Sequence, residues 1–144
     1  MRKNRIRPLA ICVFRNKGRI LVAEGYDPLK GQTFYRPLGG AIEFAEPAEQ
    51  TVRRELMEEI GAEVGELKYL GALENIFVFN GEPGHEIVLV YDGVLKESGL
   101  YEQAEVEGKE AEVNESFKAM WKSLDEFGEG KSILYPTGLL ELLA

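Results

Sequence analysis

Residues 40–62 read GAIEFAEPAEQTVRRELMEEIGA, and this stretch decides how the rest of the chain is organised. Proline lacks an N–H that would go unpartnered in the first turn of a helix, and glycine adopts the left-handed conformation that ends one. Pro47 and Gly61 therefore bracket a helix predicted over residues 47–60. At about 100° per residue, Ala48, Val52, Leu56 and Ile60 form an apolar stripe, with Glu55, Glu58 and Glu59 gathered along one edge of it. Carboxylates this close raise one another's pKa values unless positive charge sits among them, and a hard divalent cation answers that need. Glutamates at this spacing also occupy solvated helix faces beside Lys or Arg, and Arg54, four residues before Glu58, fits such a surface pair. Two features favour the cation: Glu55 and Glu59 point towards the apolar stripe, and Gly39-Gly40 supplies backbone without side chains where a ligand can approach closely.

The spacing from Gly40 to Glu46 to the run Arg54-Glu55-Leu56-Met57-Glu58-Glu59-Ile60-Gly61-Ala62 resembles the signature of the Nudix hydrolases. One position departs: Ala62 stands where a bulkier Ile, Leu or Val is usual, and every charged position is intact. Weaker similarity runs through Phe34 to Gly39, His85 to Tyr91, Trp121 to Phe127 and Leu134 to Leu139. The resemblance implies an α/β fold of the α+β type, a mixed β-sheet sandwiched between α-helices. It also implies hydrolysis, by water attack at phosphorus, of a nucleoside diphosphate linked to a further moiety, with Mg²⁺ or Mn²⁺ as cofactor. Carried across by position, Glu55, Glu58 and Glu59 are the metal ligands, one of them a candidate general base, and the Gly40 carbonyl completes the set. Glu55, Glu58 and Arg54 form the catalytic group, Arg54 orienting Glu55. Gly39, Gly40, Arg36 and Glu46 are the substrate-side residues, Glu46 supporting the junction of loop and helix. Oxygen ligands suit Mg²⁺ or Mn²⁺ over soft metals. The expected partner is a small nucleotide-type phosphorylated substrate, and a homodimer is compatible with the family.

Composition sets the outer limits. The 144-residue chain has the size of one domain, 1–144, and its 44% hydrophobic and 29% charged residues are those of a soluble globular protein. Its apolar runs are too short to span a bilayer, and the basic start MRKNRIRP lacks the apolar stretch of a secretory signal, so a cytoplasmic location is expected. One cysteine and one histidine exclude an internal disulfide and a zinc site, leaving oxygen to hold any metal. A formal net charge of −8 argues against a general nucleic-acid binder, yet a cation at the carboxylates can locally reverse that field for a small phosphorylated ligand.

Along the chain, Leu9–Phe14 and Arg19–Ala23 read as a hairpin turned at Arg15-Asn16-Lys17-Gly18, Tyr26–Gln32 as a loop, Thr33–Leu38 as extended, and Ala41–Phe44 as a short strand entering the helix. Glu66–Phe79 reads as two strands or one bent strand. After a turn at residues 80–84, His85–Leu95 reads as the next strand, with Ile76–Phe79 and His85–Val94 pairing antiparallel. The acidic stretch Lys96–Ser116 reads as a surface loop, Phe117–Trp121 as a strand, Leu124–Phe127 as a helical turn, and Pro136–Leu143 as a closing helix opened by proline. Phe34, Tyr35, Phe77 and Phe79 are candidates to stack on a base, although strand aromatics more often belong to a core. His85 reads as a strand-edge residue with a local hydrogen bond. In the acidic stretch, Glu102, Glu105, Glu107, Glu110 and Glu112 are candidates for a carboxylate outside the helix, against the reading of a solvated run. A nucleotide-binding or scaffolding domain without turnover is the alternative to an enzyme, and the three retained carboxylates argue against it.

Overall fold

The computed structural model describes residues 4–110 and 115–144. Alternating apolar residues in Ile6–Asn16 (β1), Arg19–Asp27 (β2) and Gln32–Ala41 (β3) build the centre of the fold. Val64–Phe79 (β4) and Glu82–Leu95 (β5) extend it on one side, and Glu105–Glu110 (β6) and Glu115–Ser123 (β7) on the other. Among the described residues these strands join in the order β4-β5-β1-β3-β2-β7-β6. β1 and β5 run parallel, and the other paired strands antiparallel. The sheet is therefore mixed. β3 serves two neighbours, pairing with β2 over Gln32–Pro37 and with β1 over Leu38–Ala41.

Period-two alternation in β1 sends its side chains into two cores. Ala10, Cys12 and Phe14 face the long helix Ala48–Ile60 (α1), packing with Val52 and Leu56. Leu9, Ile11 and Val13 face the other way, towards the short helices Leu124–Gly128 (α2) and Leu139–Leu143 (α3), represented by Phe127, Leu139 and Leu143. Each fully buried aliphatic side chain contributes about 1.5–3 kcal/mol, so the stripe of α1 holds the helix on the sheet and fixes which face its glutamates present.

The two hairpin turns follow from residues tolerant of positive φ. Lys17-Gly18 (54° and 78°) and Asn80-Gly81 (51° and 81°) each close two strands with both central residues left-handed, the twist that suits a two-residue hairpin. β4 is one strand, its ladder with β5 irregular between Val64 and Leu67 and between Tyr69 and Gly71.

Several sequence expectations are corrected. Pro47 caps α1 with extended backbone (ψ 147°) instead of lying inside it. Ala41–Phe44 is not a strand leading into the helix: β3 ends at Ala41, Phe44 is fully exposed and Ala45 turns through a φ of 67°. The loop expected over Tyr26–Gln32 is shorter, because Tyr26 pairs with Thr33 and Asp27 with Gln32. Residues 82–84, expected in a turn, already belong to β5.

The largest correction falls in the acidic stretch. It contains a 3₁₀ turn at Ser98–Glu102 and the strand β6. Leu100 is buried there, and its carbonyl accepts the Trp121 indole N–H at 3.1 Å. In β6 Val106 enters the core and Gly108 lies beneath the Phe117 ring, while Glu105 and Glu107 face outwards. The glutamates mask an alternation carried by just two inward positions. Lastly, α3 starts at Leu139, not Pro136. The Tyr135–Pro136 bond is cis, and Gly138, at φ 92°, makes the turn into the helix. Among the described residues no helix is long and apolar enough to cross a membrane.

Candidate functional site

Arg54, half-buried at the edge of α1, organises the acidic groups around it. Its Nε donates to Glu46 Oε2 at 2.8 Å and its Nη2 to Glu46 Oε1 at 2.9 Å, a two-pronged contact that suits the planar guanidinium. Nη1 donates to Glu55 Oε2 at 2.9 Å and Glu58 Oε1 at 3.3 Å, and Nη2 also donates to the Ala41 carbonyl at 3.1 Å. The surface pair with Glu58 is thus one arm of a fan of hydrogen bonds reaching four residues. Glu46 is further held by the Thr51 hydroxyl at 2.7 Å and the Glu43 N–H at 3.2 Å, which ties the loop after β3 to the first turn of α1. The Arg54 and Thr51 hydrogen bonds hold the Glu46 carboxyl down at about 2. Thr51 went unnoticed in the sequence, although a hydroxyl one turn ahead of Glu55 on the buried side of the helix is the kind of group that secures a capping carboxylate.

The glycine pair lies within β3. Gly39 pairs with Ile11 at φ 153°, and a Cβ there would stand 2.2 Å from the Ala10 carbonyl oxygen. A Cβ on Gly40 would stand 2.4 Å from Cδ of Glu55. The Glu55 carboxylate therefore rests directly on the Gly40 backbone, where any side chain would displace it.

Glu59 is 6% exposed and its Oε1 has no hydrogen-bond partner. Burial pushes its pKa up to about 9, and the charges of Glu55 and Glu110 with a carboxyl–carboxyl hydrogen bond to Glu110 add to the rise against the opposing charge of Arg36. Burial also raises Glu55, Arg54 pulling it back and Glu58 and Glu110 pushing it up. A buried carboxyl with an orphaned oxygen is costly in a finished core. Glu55, Glu58 and Glu110, the bare Gly40 backbone and Arg36 are among the groups that line one open cavity with it.

Of the acidic candidates outside the helix, Glu110 at the end of β6 lines this cavity, carried there because β6 packs along α1. Glu102, Glu105 and Glu107 do not line this cavity: Glu102 lines another surface pocket, and Glu105 and Glu107 line one that meets it at Phe117; Glu112 lies outside the described residues. No three acidic, His or Cys side chains among the described residues form a finished cation site by themselves. The donors at hand are nonetheless all oxygen: Glu55, Glu58, Glu59 and the Gly40 backbone, with Glu110 adjacent. They fit a hard divalent cation in kind.

A second cavity of about 390 Å³ adjoins the first, the two sharing Arg7, Phe34 and Arg36 in their walls. Phe34, Phe77 and Phe79 line it with Tyr135, and Phe34 meets Phe79 and Tyr135 edge-on at 6.0 and 5.6 Å between centroids. Tyr35 is instead a core residue, its hydroxyl donating to Glu24 at 3.0 Å. His85 Nε2 lies 3.1 Å from Glu74, but the residue is not at a strand edge as expected: it is the fourth residue of β5, in register with Ile6 of β1 and Ile76 of β4, and the bond runs across to β4. The buried pair Asn75 and Glu86 on the cavity wall carried no signal in the sequence beyond a lone acid in an apolar strand.

Comparison with known proteins agrees with this architecture. The family model of the NUDIX domain matches residues 3–137. A protein named NAD-capped RNA hydrolase NudC from Haemophilus influenzae is 32% identical over 122 residues, covering 83% of this chain and 40% of that protein. Its namesake from Vibrio atlanticus is 37% identical over 68 residues, 47% of this chain and 24% of the other. The chain thus spans less than half the length of these curated relatives. Among solved structures, a MutT NUDIX hydrolase from Burkholderia pseudomallei aligns with a TM-score of 0.65 at 24% identity, covering 98% of this chain and all of the other. A NUDIX hydrolase from Nitrosomonas europaea gives 0.62 at 16% identity, over 96% and 86%. At such identities the likeness speaks for the fold, and the mixed sheet between helices is the Nudix fold expected from the sequence. Through the match over residues 3–137, the chain belongs to the NUDIX domain family.

Proposed function

We propose that this protein is a Mg²⁺- or Mn²⁺-dependent pyrophosphohydrolase that cleaves a nucleoside diphosphate linked to a further group. The observation that carries the reading is Glu59: a buried carboxyl with an unpartnered oxygen, facing a cavity shared with Glu55, Glu110 and the bare Gly40 backbone. Glu55, Glu58, Glu59 and the Gly40 carbonyl hold the cation. When bound, it neutralises phosphate charge and makes water a stronger nucleophile.

The chain's own residues do the rest. Arg54 keeps the Glu55 and Glu58 carboxylates turned to one side through its bonds at 2.9 and 3.3 Å, and Glu46 and Thr51 keep Arg54 itself in place. Arg36 and Arg7, in the wall common to both cavities, supply positive charge to a phosphate chain passing from one to the other, and the neighbouring aromatic rings receive the nucleoside. A carboxylate takes the proton from water, either one of the helix glutamates or Glu110.

The test is release of a phosphorylated product from a panel of nucleoside triphosphates, nucleotide sugars, dinucleoside polyphosphates, ADP-ribose and NAD, the last because relatives are named for NAD-capped RNA. Turnover with Mg²⁺ or Mn²⁺ that EDTA abolishes is expected. Folded protein inert across the whole panel gives the reading up in favour of a binding domain.

A further inference from the structure

Resting on the reading that a nucleotide occupies the two joined cavities, we infer that Glu86 determines base choice and selects guanine. Glu86 is 3% exposed, on β5, and lines the aromatic cavity. Its Oε1 accepts one long hydrogen bond, from Asn75 Nδ2 at 3.4 Å, and its Oε2 stands 3.8 Å from Arg7 Nη1, beyond hydrogen-bond distance. A carboxylate offers about four acceptor sites, so this one keeps unused capacity although water is largely excluded from it. Asn75 is held as a support: it is buried, its amide nitrogen donates to Glu86, and its Oδ1 accepts the Thr137 N–H at 3.1 Å.

The other buried acid on this cavity differs in the respect that matters. Both oxygens of Asp27 are taken by backbone, Oδ1 by the N–H groups of Leu29 and Lys30 at 3.0 and 3.2 Å and Oδ2 by that of Asn80 at 3.1 Å. Asp27 is thereby a tie between the loop after β2 and the β4–β5 turn, while Glu86 retains acceptor capacity for a ligand.

The chemistry then narrows the base. A carboxylate accepts two parallel N–H bonds, and guanine presents that pair on one edge, from N1–H and the 2-amino group. Hypoxanthine keeps N1–H and lacks the amino group. Adenine offers its 6-amino hydrogens beside the N1 lone pair, which a carboxylate oxygen repels. Cytosine also presents a single amino group beside a ring acceptor. A site built to receive donors rejects bases that lack them, because its buried acceptor is left unpaired. The Phe34, Phe77 and Phe79 rings that line the same cavity provide apolar surface for the flat base.

Binding of GMP, IMP and AMP in the presence of Mg²⁺, measured by isothermal titration calorimetry, tests the inference without requiring turnover. The expected order is GMP, then IMP, then AMP, with about ten- to hundredfold between the first and last. The Glu86→Gln variant, which puts a donor where one oxygen stood, is expected to collapse that order. AMP binding as tightly as GMP, no binding of any of the three at millimolar concentration, or an unchanged order in Glu86→Gln overturns it. If the variant does not fold, the order in the native protein still decides. Hydrolysis of the whole substrate panel is followed in parallel, with guanine and adenine members compared: guanine preference in binding without turnover of any member would leave this inference standing and remove the hydrolase reading, and turnover without base preference would do the reverse.

Discussion

Arg54 and Glu46, eight residues apart in sequence, make a doubly hydrogen-bonded pair, with Nε to Oε2 at 2.8 Å and Nη2 to Oε1 at 2.9 Å, which joins the loop after β3 to the middle of α1. The same guanidinium reaches Glu55 and Glu58, so the geometry of the carboxylate cluster depends on a residue outside it.

That pair predicts an acid limb to stability. The folded Glu46 carboxyl sits at about 2, below the ordinary glutamate value near 4.5 from which it is lowered. The unfolded chain therefore binds the extra proton first as pH falls. The stabilisation is fully present above about pH 4.5 and is lost as pH descends towards 2. Urea unfolding midpoints across that window should fall more steeply in the native protein than in Glu46→Gln; equal slopes would detach Glu46 from the acid limb.

Glu58→Gln and Glu59→Gln should each lose hydrolytic activity by orders of magnitude and keep the fold. Burial already holds the Glu59 carboxyl up at about 9 and hence neutral at pH 7, so its near-isosteric amide should leave the cation-free melting temperature level; Glu58→Gln gives up an ion pair to Arg54 at 3.3 Å together with a charge beside Glu55, so it too should change it little. Adding Mg²⁺ or Mn²⁺ should raise the melting temperature of the native protein and raise it less in either variant. A large cation-free drop would recast the two residues as structural ion-pair partners.

Among the described acidic candidates outside the helix, Glu110 reaches the cavity of Glu59. Glu110→Gln should lower kcat by about a hundredfold or more, the usual scale for a lost general base or ligand. Glu102→Gln, Glu105→Gln and Glu107→Gln, at positions that do not line that cavity, should remain near native. A near-native Glu110→Gln would leave the base among Glu55, Glu58 and Glu59.

Gly40→Ala probes the cradle. Its Cβ would lie 2.4 Å from the Glu55 carboxyl carbon, so the side chain has to move. Glu55 is half-buried at the helix edge and has room to swing outwards, which predicts a folded protein with weaker cation response and at least tenfold lower kcat/KM. Undiminished cation-dependent activity would remove Gly40 and Glu55 as a positioned pair.

The sequence by itself determined the long helix, its apolar stripe and the clustering of Glu55, Glu58 and Glu59, because helical periodicity is local and a Pro-to-Gly bracket sets its limits. Both hairpin turns were legible for the same reason: Lys17-Gly18 and Asn80-Gly81 carry their conformational preference in two residues. Only the tertiary structure decided that β6 exists, since its pairing with β7 rests on Val106 and Gly108 among solvent-facing glutamates. It also decided that Glu110, some fifty residues from Glu59, shares its cavity, and that Glu86, Asn75 and Arg7 meet beside the rings of Phe34 and Phe77. Those meetings depend on the order of strands across the sheet, in which β1 separates β5 from β3. Non-local pairing of this kind leaves no periodic trace in the segments it brings together, so the carboxylate helix could be read from one stretch of chain while the walls of the site required the whole fold.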